Sequence, residues 1–299
     1  MVYERTIRTP VECSGIGLHS GAGVRLRLLP APVGSGVVFR RIDLENFEVE
    51  AVSRNVAKVS YATSLMKKGV LISTTEHLLS ALVGMGVDNV IVELDNLELP
   101  ILDGSAQPFI DMITAAGLRQ QRRKRVYLKI LRPYEMWEGG KYIGIYPAAN
   151  YAVSYAINFP HPLIGQERFR VELSNGSYVE QIASARTFGF LEQQQAMLNQ
   201  GLIRGASREN CVVLTRTGLD NGPLRFSDEF VRHKILDLIG DLAIFGKRIL
   251  GYVKADRAGH AMHTALVSRI LRDPSYWEEI TLDEFSASEF PEEYMAIAD

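Results

Sequence analysis

Cysteine is scarce: Cys13 and Cys211 are the two in 299 residues, and they lie far apart. They form neither a metal-type pair nor a disulfide framework, a usage that fits a reducing compartment. Long apolar runs are missing. No window approaches the ~18 uncharged apolar residues of a membrane span, and the stretch 70–94 is broken by Glu76, His77 and Asp88. The opening residues, MVYERTIRTP, alternate polar and apolar and lack the apolar centre of a signal peptide. An excess of one charge is also missing: 33 basic against 35 acidic residues leaves −2, which argues against a polycation that grips nucleic acid. Sequence repeats and low-complexity tracts are lacking. These absences leave a soluble, cytoplasmic globular protein as the expectation, with no transmembrane segment, no nucleic-acid partner and no obligatory protein partner.

What is present is ordinary in bulk, 46% apolar and 23% charged. At ~150 residues per domain the length suggests two domains. Residues 24–29 alternate at period two, as a half-buried strand does. Residues 37–40, 89–94, 126–130 and 151–159 also read as strands. Residues 76–83, 106–116 and 230–245 read as helices, with 261–271 and 180–200 as further candidates. Strands and helices come in clusters without a βαβα rhythm, so the expected class is α+β. The expected boundary is 118–125, LRQQRRKR, read as a solvated linker between units 1–120 and 126–299.

Four motifs carry chemistry. In Arg232-His233-Lys234-Ile235-Leu236-Asp237-Leu238-Ile239-Gly240-Asp241-Leu242, His233 and Asp237 are four apart and share a helical face, with Asp241 one turn further. Such a pair can converge on one metal ion, or the polar stripe is the wet face of an amphipathic helix. In Ser73-Thr74-Thr75-Glu76-His77, Ser73 and Glu76 match a capping box. Alternatively His77 is a ligand and Glu76 the base beside it. Gly84 and Gly86 supply a helix stop. His260 follows Gly259 and reads either as a cleft-lining loop imidazole or as incidental. Phe188 and Phe190 around Gly189, after Thr187, are core packing or a substrate platform. Asp103-Gly104-Ser105 reads as a turn. Two His and one Asp make a three-ligand set with a position left for water, the plan of a catalytic zinc site.

The order of these motifs resembles the zinc-dependent UDP-3-O-acyl-N-acetylglucosamine deacetylases of lipid A biosynthesis. The resemblance runs from Gly15-Ile16-Gly17-Leu18-His19-Ser20-Gly21 to about Trp277 and includes STTEHLL, PILDGSA, ARTFGF and RHKILDLIGDL. Ser20 stands where family members often carry threonine, and the tail beyond Trp277 is assigned no role. The resemblance implies two similar layered α/β-sandwich domains with the active site between them. It also implies hydrolysis of the N-acetyl amide of UDP-3-O-(3-hydroxyacyl)-N-acetylglucosamine. On the same ground His77, His233 and Asp237 are the Zn2+ ligands, with Fe2+ a possible native ion. Glu76 is the general base and His260 the general acid. Asp241 orients His260, Thr187 polarises the carbonyl, and Lys234 lies near the substrate's polar head. An apolar acyl channel is expected within 180–213, with Phe188, Phe190 and Ile203 among its walls. Two rivals stand beside this reading, a non-haem Fe(II) enzyme and a non-catalytic sugar-nucleotide-binding protein.

Overall fold

The computed structural model describes residues 2–57 and 61–282. The tail beyond 282, and with it the end of the expected second unit, lies outside the described residues.

The chain is mixed α and β, with helices packed on sheets. Val24, Leu26 and Leu28 are buried while Arg25 and Arg27 face out, so Gly23–Pro30 shows period two. This strand sits in a five-stranded sheet of order Val11–Ile16, Gly23–Pro30, Val90–Leu94, Val37–Arg41, Phe47–Glu50. The pairing is antiparallel except between Val37–Arg41 and Val90–Leu94. A second sheet is built around Arg248–Asp256, which pairs in parallel with Val126–Ile130 and Tyr151–Phe159 and antiparallel with Lys141–Tyr146. Every strand expected from the sequence is present.

Six helices are found among the described residues: α1 (Glu76–Met85), α2 (Gln107–Ala116), α3 (Asn175–Gln181), α4 (Gln194–Asn199), α5 (Glu229–Leu242) and α6 (His260–Arg272). The single long helix expected over 180–200 is instead α3, the short strand Phe188–Phe190, a 3-10 turn and α4. Gly86, at φ 78°, closes α1 in the left-handed cap that glycine adopts without a Cβ clash. Gly84 stays inside the helix, where a Cβ would meet the Tyr178 ring at 2.1 Å.

The segment expected to be a linker is a strand. Leu118–Lys124 pairs antiparallel with Tyr3–Ile7. Its charge is accommodated because this two-stranded ribbon turns its side chains to solvent or to acids. Arg123 meets Glu4 at 3.4 Å. The adjoining Arg125 grips Asp88 at 2.8 and 2.6 Å, and Arg248 reaches the same carboxylate at 3.3 Å.

α1 and α5 pack against each other inside one continuous apolar core. In α5 every residue except Arg232 and Lys234 is buried. Its polar stripe is therefore not a wet face. A helix covered all round belongs to the interior, and polar groups there need partners. Each fully buried Leu or Ile adds about 1.5–3 kcal/mol, so α5 is held in place by residues such as Ile235, Leu236 and Ile239, all at 0% exposure.

Candidate metal centre and active site

The expected capping box does not form. Thr74 stands in the left-handed region at φ 57°, which turns Ser73 away before the helix begins. Ser73 Oγ meets Ser64 Oγ at 3.0 Å, Thr75 is the N-cap, and Glu76 opens α1. Glu76 is left buried, with Oε2 accepting the Thr63 amide at 3.1 Å. Burial pushes its carboxyl up to about 7, against the pull of His260 and His77.

α1 and α5 cross at Gly240. A Cβ there would lie 2.0 Å from the Glu76 carbonyl oxygen, so only glycine permits the approach. That contact sets His77 against α5. His233 Nε2 stands 3.3 Å and His77 Nε2 3.7 Å from Asp237 Oδ1. Ligands about 2.0–2.1 Å from a tetrahedral ion sit roughly 3.4 Å from one another, so these spacings fit one ion. The three side chains are 2–5% exposed. His233 Nδ1 lies 3.0 Å from the Ala185 carbonyl, which fixes its proton there and leaves the Nε2 lone pair facing the group. Burial holds His233 down at about 4, so the ring is neutral, the form that ligates. Asp237 is held well below the usual carboxylate range: burial opposes this, but His233 and Lys234 outweigh it. His77 Nδ1 is buried without a hydrogen-bond partner among the described residues. Two imidazoles and a carboxylate in a buried cluster are a donor set suited to a divalent ion.

Asp241 lies one turn beyond Asp237. Its Oδ2 is 2.7 Å from Nδ1 of His260 and 2.7 Å from Nδ1 of His263, and its Oδ1 accepts the Thr63 hydroxyl. His260 is the first residue of α6, with Gly259 as N-cap, and so is helical. With Nδ1 on Asp241, His260 turns Nε2 towards Glu76 Oε1, 4.0 Å away. Burial works against a cation on His260, but the charge and hydrogen bond of Asp241 prevail and push it up to about 9.

These groups open into a cavity of about 590 Å³. Its polar lining includes His19, Glu76, His77, Thr187, His233, Lys234, Asp237 and His260, and its apolar lining Leu18, Phe159, Phe188, Phe190, Met197, Ile203 and Val213. Thr187 is held by its backbone, which donates to Gly104 O and accepts from Val212 N, both at 2.8 Å. Asp103 makes the expected turn, accepting the Ser105 amide at 2.9 Å.

A family model described as LpxC, UDP-3-O-acyl N-acetylglycosamine deacetylase, matches residues 4–272. The chain belongs to this family. A relative from Solibacter usitatus named UDP-3-O-acyl-N-acetylglucosamine deacetylase is 53% identical over 288 residues, 96% of this chain and 97% of its own. Relatives of the same name from Xanthomonas campestris and Myxococcus xanthus are each 43% identical, covering 95% and 92% of this chain and 95% and 88% of their own.

The deacetylase motifs read from the sequence thus meet at one cavity, with three differences. Lys234 lines it, but its Nζ lies 2.6 Å from Asp237 Oδ2. Leu198 and Leu202, which fall within the stretch 180–213 expected to form the acyl channel, are not in its lining, whereas Leu18 and Phe159, outside that stretch, are. Thr63 and His263 went unnoticed in the sequence. His263 carried a signal, since it follows His260 by three on one helical face. Thr63 carried none, because a lone threonine outside any pattern says nothing of its fold partner.

Proposed function

We propose that this protein hydrolyses the N-acetyl amide of UDP-3-O-(3-hydroxyacyl)-N-acetylglucosamine, releasing acetate and the free amine, the committed step of lipid A biosynthesis. The carrying observation is the convergence of His77, His233 and Asp237, with Glu76 and His260 on the same cavity wall. His77, His233 and Asp237 hold zinc, with Fe2+ an alternative native ion. When bound, the ion supplies a Lewis acid that acidifies water and polarises a carbonyl.

The chain's own residues do the rest. Glu76 takes the proton of the attacking water; a carboxyl raised towards neutrality is matched to that task. Thr187 donates its hydroxyl to the developing oxyanion, an interaction typically worth ~3 kcal/mol per donor. As the C–N bond breaks, His260 passes its Nε2 proton to the departing amine, while Asp241 holds Nδ1 and balances the cation. Lys234 places positive charge where the substrate's polar head enters. Phe188, Phe190 and Ile203 contact the acyl chain, each buried CH₂ being worth ~0.8 kcal/mol.

This reading includes two similar layered units, 1–120 and 126–299, with the site between them; the derivation of ligands from α1 and α5 supports it. It also includes a cytoplasmic enzyme acting on a small acylated sugar nucleotide without an obligatory protein partner. No described helix is long and apolar enough to cross a membrane. Acetate release by purified protein, lost on chelation and restored by zinc, is the test. Binding of the sugar nucleotide without acetate release under metal-loaded conditions would refute it. The placement of Glu76 beside the ligand set favours hydrolysis over the oxygenase and binding-protein readings.

A further inference from the structure

His263 is 1% exposed and lies outside the cavity lining. Its Nδ1 stands 2.7 Å from the same Asp241 oxygen that His260 uses. A carboxylate has no hydrogen to give, so each of these contacts takes an N–H. With the Thr63 hydroxyl on Oδ1, one buried carboxylate serves three donors. The other edge of His263 rests 3.2 Å from Tyr155 Oη, whose hydroxyl donates to the Ala258 carbonyl at 2.6 Å. Ala258 is two residues before His260, so Tyr155 both backs His263 and pins the turn that presents His260. Among the described residues, the ionisable groups around His263 include Asp241 and Lys234 on α5, His260 on its own helix and Tyr155 on Tyr151–Phe159. Those around His260 include Asp241 and Asp237 on α5, Glu76 on α1, His263 and His19.

We propose that His263 is a positioning residue that tunes His260 through their shared carboxylate. A donor on a carboxylate stabilises its charge and lowers its pull on any other proton. His263 thereby spends part of the basicity of Asp241 and keeps His260 a stronger acid than an isolated His–Asp pair would make it. An acid works best when its proton affinity matches the working pH. The inference rests on the assignment of His260 as the proton donor to the amine.

Three substitutions separate this role from packing. His263→Asn puts an amide N–H where Nδ1 stood and keeps the bond to Asp241. His263→Gln puts its amide towards Tyr155 instead, and His263→Leu has no donor. The proton affinity of His260, followed by NMR titration of its ring in the metal-loaded protein, rises about three- to tenfold in the Gln and Leu proteins. It stays at the wild-type value in the Asn protein. The basic limb of the kcat/KM profile moves to higher pH in step. Because Gln alone distinguishes the two edges of the ring, the test survives if the Leu protein does not fold. Unchanged titration of His260 in the Gln protein, or an Asn protein that titrates like Gln, overturns the proposal. The NMR midpoint is read without turnover, so a failure of the deacetylase assignment shows separately as absent acetate release.

Discussion

Replacing Gly240 by alanine is expected to disable the metal centre while sparing most of the fold. The new Cβ would lie 2.0 Å from the Glu76 carbonyl oxygen and 2.9 Å from its Cα, where ordinary contact starts at 3.4 Å. Both atoms are backbone, so no side chain can swing aside, and the start of α1 must retreat by more than an ångström. Two stability terms oppose each other. Alanine in a helix interior gains about 1 kcal/mol over glycine, and overpacking costs about 1–3 kcal/mol. The net loss is about 0–2 kcal/mol, small beside a domain's usual 5–15 kcal/mol. The site is less tolerant, because ligand distances must hold to about 0.2 Å. His77 follows Glu76 directly and moves with it, whereas His233 and Asp237 stay on α5. Weaker metal binding in competition with a chromophoric chelator is expected, with kcat down on the order of 10²-fold for a displacement of this size. Circular dichroism and the thermal midpoint are measured alongside. A folded G240A protein with wild-type metal affinity and turnover would refute the argument that this contact sets the ligand geometry.

His77→Ala, His233→Ala and Asp237→Ala are each expected to lose most bound metal, checked by mass spectrometry of the purified proteins; stoichiometric zinc in any one removes that residue from the set. Glu76→Gln is expected to keep its metal and lose at least ~10²-fold in kcat, and near-wild-type turnover would end its assignment as the base. Ile203→Trp is expected to reduce kcat/KM for long acyl chains more than for short ones, and equal loss across a chain-length series would remove Ile203 from the acyl contact. Glu167 on Gly165–Glu172 accepts the Val231 amide at 3.0 Å, and burial pushes its carboxyl up to about 7. A raised carboxyl costs stability once ionised, so the cost grows from about pH 4 and is complete above about pH 7. Glu167→Gln is therefore expected to stabilise the protein at pH 8 relative to pH 4, by about 1–2 kcal/mol after allowing for solvent screening; denaturant melts at both pH values that show no such difference would contradict it.

The strands were legible because burial on one face leaves period two in the chain, as in Gly23–Pro30. The strand Leu118–Lys124 was not, since its run of arginines and glutamines shows no alternation; its place is set by a partner strand over a hundred residues away. Residues 180–200 misread as one helix because their polarity masks the break around Gly189. His233, Asp237 and Asp241 were legible as a stripe, yet a stripe alone cannot say whether water or protein covers it. What covers it is α1 at Asp237, through a contact that requires Gly240, and α6 at Asp241. Asp241's partners were half visible: the spacing of His260 and His263 is in the sequence, whereas Thr63 is joined to them by folding alone.

The cavity is built from materials of unequal permanence. On the metal side it is faced by α1 and α5, both buried along most of their length. On the other side stands α4, which has no buried residue. The segment after it is tied to the chain's beginning through Arg204 N to His19 O and Gly205 N to Leu18 O at 3.2 and 3.0 Å, and to Asp220 and Asn221 through Arg208, at 2.6 Å each. Substitutions in α4 carry little folding cost, because exposed positions away from caps and cores change stability by within about 0.5 kcal/mol. Mutational drift therefore has room to reshape the passage beside Met197 and Ile203 while the ligand-bearing helices stay fixed. On the proposed reading of this cavity, the wall that meets the acyl chain is the part free to change while the residues of α1 and α5 stay in place.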